Sequence, residues 1–181
     1  MGMSVTISAA TEHDAEHILK LQYLCYQSEA ELYGDYRIEP LTQSLADLRA
    51  ELTAGHALVA RLGDEVVASV RGRVDEAGTA RIAKLIVHPR MRRHGLGGRL
   101  LDAIEARFAA EERAERYRLF TGHRSESNLR LYRSRGYAPV ATEQRGPRLT
   151  LVTLEKEAPA AVAASVVAEQ GAGPDPFAAS A

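Results

Sequence analysis

Apolar positions along the chain follow two rhythms, and each switch between them marks an element boundary. SVTIS, residues 4 to 8, alternates as a short strand. Thr11 then opens a helix, with Asp14 three residues on as a weaker form of the capping box. Ile18, Leu21, Leu24 and Cys25 fall on one face of that helix. A second helix is predicted after Pro40 from the spacing of Leu41, Leu45, Leu48 and Leu52, and Gly55 stops it. Two runs rich in valine and alanine then flank Gly63-Asp64, the pattern of a hairpin. TARIAKLIV (79 to 87) reads as a strand ended by His88-Pro89. Residues 96 to 110 follow as a helix, with Leu100, Leu101, Ile104 and Phe108 on one side, and YRLFTG (117 to 122) is again a strand. A helix over 126 to 135 closes at Gly136, and YAPVA and RLTLVTLEK supply two last strands.

The order β-α-α-β-β-β-α-β-α-β-β contains one strand-helix-strand unit, 79 to 122, whose strands run parallel through a right-handed crossover. The other strand connections are mostly hairpin-like. The expected fold is α/β: a single-layer mixed, mostly antiparallel sheet with a central parallel βαβ unit. Residues 1–156 make the domain. Residues 157–181, EAPAAVAASVVAEQGAGPDPFAASA, are poor in large side chains and are expected to form a flexible Ala/Pro/Gly-rich tail, with room for a short helix over 160 to 169.

Composition narrows the function classes. A chain of 181 residues with 45% hydrophobic and 26% charged residues suits one soluble domain with a core of its own. A net charge of -1 argues against nucleic acid or an anionic membrane as the main partner. The single cysteine, Cys25, allows neither an internal disulfide nor a cysteine metal cluster, so no metal site is expected and a reducing, cytoplasmic location is. The N-terminus has no secretory signal, and no stretch approaches the ~20 apolar residues of a membrane helix.

The densest chemistry lies in MRRHGLGGRLL, residues 91 to 101, between a strand and a helix. The first amides of a helix have no partner inside it, and with the helix dipole they form an anion site. Gly95, Gly97 and Gly98 leave the backbone around Leu96 open to a bulky ligand, while Arg92, Arg93 and His94 add charge and donors. A diphosphate suits this turn better than a lone anion. A dinucleotide fingerprint would need Gly or Ala at 100, where Leu100 stands, and a P-loop would need a lysine the turn lacks. What fits is [QR]-x-x-G-x-[GA] after a strand ending in V-x-P: Val87, Pro89, Arg92, Gly95 and Gly97.

Here the chain resembles the GNAT family, the Gcn5-related N-acetyltransferases. LFTGHRSESNLRLYRSRGY, residues 119 to 137, strengthens the resemblance through Asn128, Tyr132, Gly136 and Tyr137, an N-x-x-x-Y helix closed by G-[FY]. Asn128 and Tyr132 share one helical face, and both helices start at carboxyl ends of parallel strands, where ligands of α/β sheets gather.

The resemblance implies acetyl transfer from acetyl-CoA, as cosubstrate, to a primary amine, with no covalent enzyme intermediate. It implies that the glycine turn holds the pyrophosphate. Ile86 and Val87 would present main chain to the pantetheine arm on a strand that splays from its neighbour. Asn128 would anchor that arm or the helix entrance. Tyr132 would be the general acid that protonates the departing thiolate. The glutamate that some members place on the central strand is here Arg81, so the base stays open between His123, Glu29, Glu31 and water. One of Arg130, Arg133 and Arg135 could meet the 3′-phosphate. In YQSEAELYGDYRIEP, Glu29, Glu31, Asp35, Tyr26, Tyr33 and Tyr36 suit a cationic amine at the acceptor wall. Cys25, on an apolar face, is not expected to act as nucleophile. Similar proteins are commonly homodimers. The competing reading keeps the fold without turnover, as an acyl-CoA-binding or interaction module. A third, nucleic-acid binding through Arg90, Arg92, Arg93 and Arg99, requires strongly salt-dependent retention.

Overall fold

The computed structural model describes residues 4–159. In chain order they form β1 (Val5–Ala9), a 3-10 turn at Glu12–Asp14, α1 (Ala15–Tyr33), α2 (Glu39–Thr42), α3 (Leu45–Ala54), β2 (His56–Leu62), β3 (Glu65–Val74) and β4 (Thr79–Val87). A second 3-10 turn (Pro89–Met91), α4 (Leu96–Glu112), β5 (Arg116–Gly122), α5 (Glu126–Ser134), β6 (Ala138–Arg145) and β7 (Leu149–Glu157) follow. The short helix expected over 160 to 169, and most of the expected tail, lie outside the described residues. No described helix is long and apolar enough to cross a membrane.

One seven-stranded sheet has the order β1-β2-β3-β4-β5-β7-β6. Every neighbouring pair is antiparallel except β4–β5, the parallel pair of the βαβ unit. The sheet is thus the mixed, mostly antiparallel one expected from the sequence. Its last strand runs through Glu157, and the Ala158 amide bonds Glu115 O at 2.9 Å, so the ordered chain passes slightly beyond residue 156.

Two local features differ from the sequence reading. The expected helix across Leu41 to Leu52 is broken, because Gln43 is extended and Ser44 starts α3 afresh by accepting the Asp47 amide at 3.1 Å. A serine that bonds forward in this way is a strong N-cap and resets the helix. Leu24 does not share the buried face of Ile18, Leu21 and Cys25. It is 46% exposed, since three residues from Leu21 and one from Cys25 put it at the edge of the apolar stripe.

The sheet carries a core on each face. Under α4, Leu96, Leu100, Leu101, Ile104 and Phe108 pack on Leu58, Val67, Val70, Ala80, Ile82, Tyr117 and Leu119. On the other face, Ile18, Leu21, Cys25 and Leu48 pack on Val59, Val66 and Ile86. Strand β4 changes phase between them. Ala80 and Ile82 face α4, but so do Leu85 and Val87, while Ile86 faces α1. The pairing shows why: Arg71 lies opposite Ala83, yet Ser69 lies opposite Ile86, so β4 holds one extra residue. Lys84 has a φ of 54°, and this bulge absorbs the insertion.

Candidate active site

The bulge and the parallel pair together open a gap in the sheet. β4 and β5 pair only from Thr79↔Arg116 to Arg81↔Arg118, and beyond Arg81 they part. The His88 amide bonds Val67 O at 2.8 Å, so residues 86 and 88 turn their main chain to β3. Alternation then turns the main chain of Leu85 and Val87 toward the gap. Of the two strand residues expected to offer main chain there, Val87 faces the gap and Ile86 faces β3. The Cys25 thiol donates to Val87 O at 3.4 Å.

The glycine turn stands at the head of this gap. Arg92, Arg93, His94 and Gly95 are exposed, and Leu96 anchors the helix start in the core. Gly95 (φ 72°) caps α4 with no side chain, and Arg93 (φ 66°) is also left-handed. Such alternations turn successive amides into an anion-binding concavity. The first helical bond runs from Arg99 N–H to Gly95 O at 3.1 Å, so the amides of Leu96, Gly97 and Gly98 have no acceptor one turn back. Nothing lies within 4 Å of where a Cβ on Gly95 would point. Gly98 is different: a Cβ there would collide with the Arg135 guanidinium, which lies across the helix and pairs with Asp102 at 3.2 Å. Arg130 and Arg133 are exposed.

Helix α5 brings the second motif alongside. The Leu131 side chain reaches the Gly97 backbone, and Tyr132 is buried in the same core cluster as Leu96. Burial raises the Tyr132 pKa well above that of an ordinary phenol, and the Glu29 carboxylate raises it further. Asn128 Nδ2 donates to Thr121 Oγ1 at 3.3 Å, holding the first turn of α5 to the end of β5.

The opposite wall is made by α1. Ser125 Oγ donates to the Glu29 carboxylate at 3.0–3.1 Å. Tyr33 Oη lies 2.9 Å from Ser125 Oγ and accepts the Arg124 amide at 3.0 Å. These bonds form a directed chain from Arg124 N–H through Tyr33 and Ser125 to Glu29. A Cβ at Gly122 would collide with Tyr33 Oη, so the glycine makes room for the chain. Tyr26 lies close enough to Tyr132 and Glu29 that burial and both groups raise its pKa. Glu31, two residues from Glu29 and thus on another face of the helix, is exposed. His123 sits on the rim, where its Nδ1 accepts the Thr150 amide at 3.0 Å. Burial pushes the Cys25 thiol up to about 11, although Arg92 beside it acts in the opposite sense.

Ser125 was not legible as a site residue. A serine before a helix reads as an N-cap, but its hydroxyl makes no cap bond and turns to Glu29 instead. Arg71 was missed too. Its signal is a cation at an inward position of EVVASVRGRV, where alternation calls for an apolar side chain.

A family model described as the acetyltransferase (GNAT) family matches residues 17–137, more than half of the chain and both walls of the gap. This protein belongs to the GNAT family. Solved GNAT structures share its fold. An acetyltransferase of the family from Streptococcus pneumoniae superposes with a TM-score of 0.72 at 16% identity, covering 85% of this chain and 99% of that one. PaiA N-acetyltransferase from Thermoplasma acidophilum, solved in complex with coenzyme A, gives 0.71 at 17%, covering 86% and 99%. YncA from Salmonella typhimurium, solved with its cofactor acetyl-CoA, gives 0.70 at 18%, covering 96% and 99%. No curated protein matches the chain by sequence.

Proposed function

We propose that the protein transfers the acetyl group of acetyl-CoA directly to a primary amine. The observation that carries this reading is the coincidence of three features at one gap. The amides of Leu96 to Gly98 start a helix without a cap, Val87 turns its main chain to the space between β4 and β5, and Tyr132 lies buried in the same cluster as Leu96. These residues fit acetyl-CoA. The amides and Arg92, Arg93 and His94 suit its pyrophosphate, and the open approach at Gly95 admits it. When bound, acetyl-CoA supplies the activated acetyl group as a thioester.

The chain's own groups then divide the proton work. Glu29, held by Ser125, takes the proton from the acceptor ammonium so that the nitrogen can attack. Tyr132 keeps its proton at neutral pH, delivers it from Oη to the departing sulfur, and takes back the second proton that the nitrogen sheds as the amide forms. The dry surroundings that raise the Tyr132 pKa also raise the proton affinity of a thiolate there, which keeps the transfer in balance. Direct transfer is supported by Cys25, whose thiol stays protonated and occupied with Val87 O. In this scheme Asn128 braces α5, and His123, with its Nδ1 lone pair already used, stays on the rim.

Acetyl-CoA incubated with the protein and a panel of primary amines should release free thiol only in the presence of an accepted amine. Tight acetyl-CoA binding with no thiol released by any amine would overturn the reading in favour of a binding module.

A further inference from the structure

Glu29 is held differently from the buried carboxylates of this protein. Asp14 pairs with Arg61 at 2.6 Å and Glu105 with Lys156 at 2.8 Å, so a cation answers each of those charges. Glu29 is half-buried, and its carboxylate joins no ion pair among the described residues. Its one hydrogen-bond partner there is the neutral Ser125 hydroxyl, at 3.0–3.1 Å from the two oxygens. A cationic partner would hold the carboxyl ionised and make it a poorer proton acceptor, whereas a hydroxyl fixes it with a weaker pull. A serine hydroxyl turns freely unless something orients it. Here the orienting group is Tyr33, one turn beyond Glu29 on α1, buried, with Oη 2.9 Å from Ser125 Oγ. Tyr33 Oη accepts the Arg124 amide at 3.0 Å. The amide at one end of the chain can only donate and the carboxylate at the other can only accept. Both hydroxyls between them therefore have one orientation: Tyr33 donates to Ser125, and Ser125 to Glu29.

We infer that Tyr33 is a positioning residue for the acetyl transfer: through Ser125 it fixes the Glu29 carboxylate without neutralising it, so that the acceptor's own ammonium group meets the charge. The inference rests on the transfer proposed above, with Glu29 as its base. The ammonium gives one proton to Glu29, which becomes a neutral carboxylic acid. The nitrogen lone pair so freed attacks the thioester carbon, and Glu29 returns its proton to solvent before the next turnover. Tyr33 thus serves the acceptor through Glu29 rather than by touching it, since its hydroxyl is already spent on Ser125 and Arg124. Tyr26 from α1 and Tyr132 from α5 also lie within reach of the Glu29 charge, and both keep their protons because burial and that charge raise their pKa values. Arg124, whose Nη1 donates to Leu32 O at 3.4 Å, holds the end of α1 to the same loop and keeps its charge at every working pH.

The test is steady-state kinetics of the full chain with acetyl-CoA and an accepted primary amine, from neutral to alkaline pH. Glu29→Gln should lower kcat at pH 7 by roughly a hundredfold. Tyr33→Phe, which keeps the ring and drops the hydroxyl, and Ser125→Ala should each lower it by about tenfold, with acetyl-CoA affinity unchanged. Ser125→Thr, which keeps a hydroxyl, should recover most of that loss. All three deficits should narrow as pH rises past the pKa of the acceptor, because a neutral amine needs no base. Damage to packing alone would cost the same whatever the protonation of the acceptor. Full kcat in both Tyr33→Phe and Ser125→Ala, or a loss that stays constant with pH, would overturn the positioning role and leave acetyl transfer standing. Full kcat in Glu29→Gln would overturn the base and the positioning role together. A wild-type protein that binds acetyl-CoA but releases thiol with no amine would overturn the transfer itself.

Discussion

The gap between β4 and β5 has two walls made of different material. On the α4 side the groups proposed to bind are main chain: uncapped amides at Leu96 to Gly98 and the edge of β4 at Val87. On the α1 side they are side chains drawn from distant parts of the sequence, Glu29 with Ser125 and Tyr33, and behind them Arg71 ties Gln22, Gln43 and Glu51 to β3. Main chain is present at every residue, so the first wall needs only glycines at the right spacing. In the proposed function it recognises a shape and charge common to one cosubstrate. The second wall can be re-equipped residue by residue without disturbing the first, which is the division of labour expected when a fixed donor meets a variable acceptor.

The largest effect should come from filling the main-chain wall. Gly97 faces Leu131 and Val87 at ordinary contact distance, so Gly97→Glu keeps a place in the fold but projects a charge into the proposed phosphate site. Like charges at such a site cost several kcal/mol. Acetyl-CoA affinity, measured by calorimetry, should fall by about a hundredfold or more. Unchanged affinity would move the phosphate site elsewhere. Next comes the group between the walls. Tyr132→Phe retains the packing and removes the hydroxyl, and kcat should fall by roughly a hundredfold with acetyl-CoA affinity unaltered. Because burial and Glu29 raise the Tyr132 pKa, the wild type should show no loss of rate from this tyrosine on the alkaline side until well above pH 10. Full turnover in the variant would take Tyr132 out of the acid role.

The smallest effect belongs to the side-chain wall. Burial raises the Glu51 pKa, but the Arg71 hydrogen bond and the charges of Arg71 and Lys84 outweigh it and hold the carboxyl below its usual 4.5. A depressed carboxyl stabilises the fold above its unfolded pKa and loses that contribution as pH falls through its folded one. With Glu51 partly exposed, Glu51→Gln should cost about 1 kcal/mol at pH 7, and the difference from wild type should fade below about pH 4. Urea unfolding at both pH values reads it. A difference independent of pH would mean that Glu51 acts through packing alone.

The contrast between walls also explains what the sequence revealed. The strands were legible from alternation and the hairpin from Gly63-Asp64. The bare start of α4 at the glycine turn was legible because it depends on local spacing, and the helix that carries Asn128 and Tyr132 because those residues stand four apart. The break at Gln43 was hidden by leucines that kept a helical rhythm across it. The pairing of Ser125 with Glu29 and of Arg71 with Gln22 spans 96 and 49 residues, and no local pattern encodes a contact between segments that only the folded sheet brings together.

The bulge at Lys84 gives β4 one residue more than its register with β3 requires. Within an ordinary strand, loss of one residue moves every side chain beyond it to the other face. Here, excising Lys84 would restore strict alternation through β4 with Leu85 and Val87 still on the α4 face, Ile86 still on the α1 face and Ile86 still opposite Ser69. One surplus residue thus bends the strand without changing which side chains it buries, and taking it out would ask whether the parting from β5 depends on that bend alone.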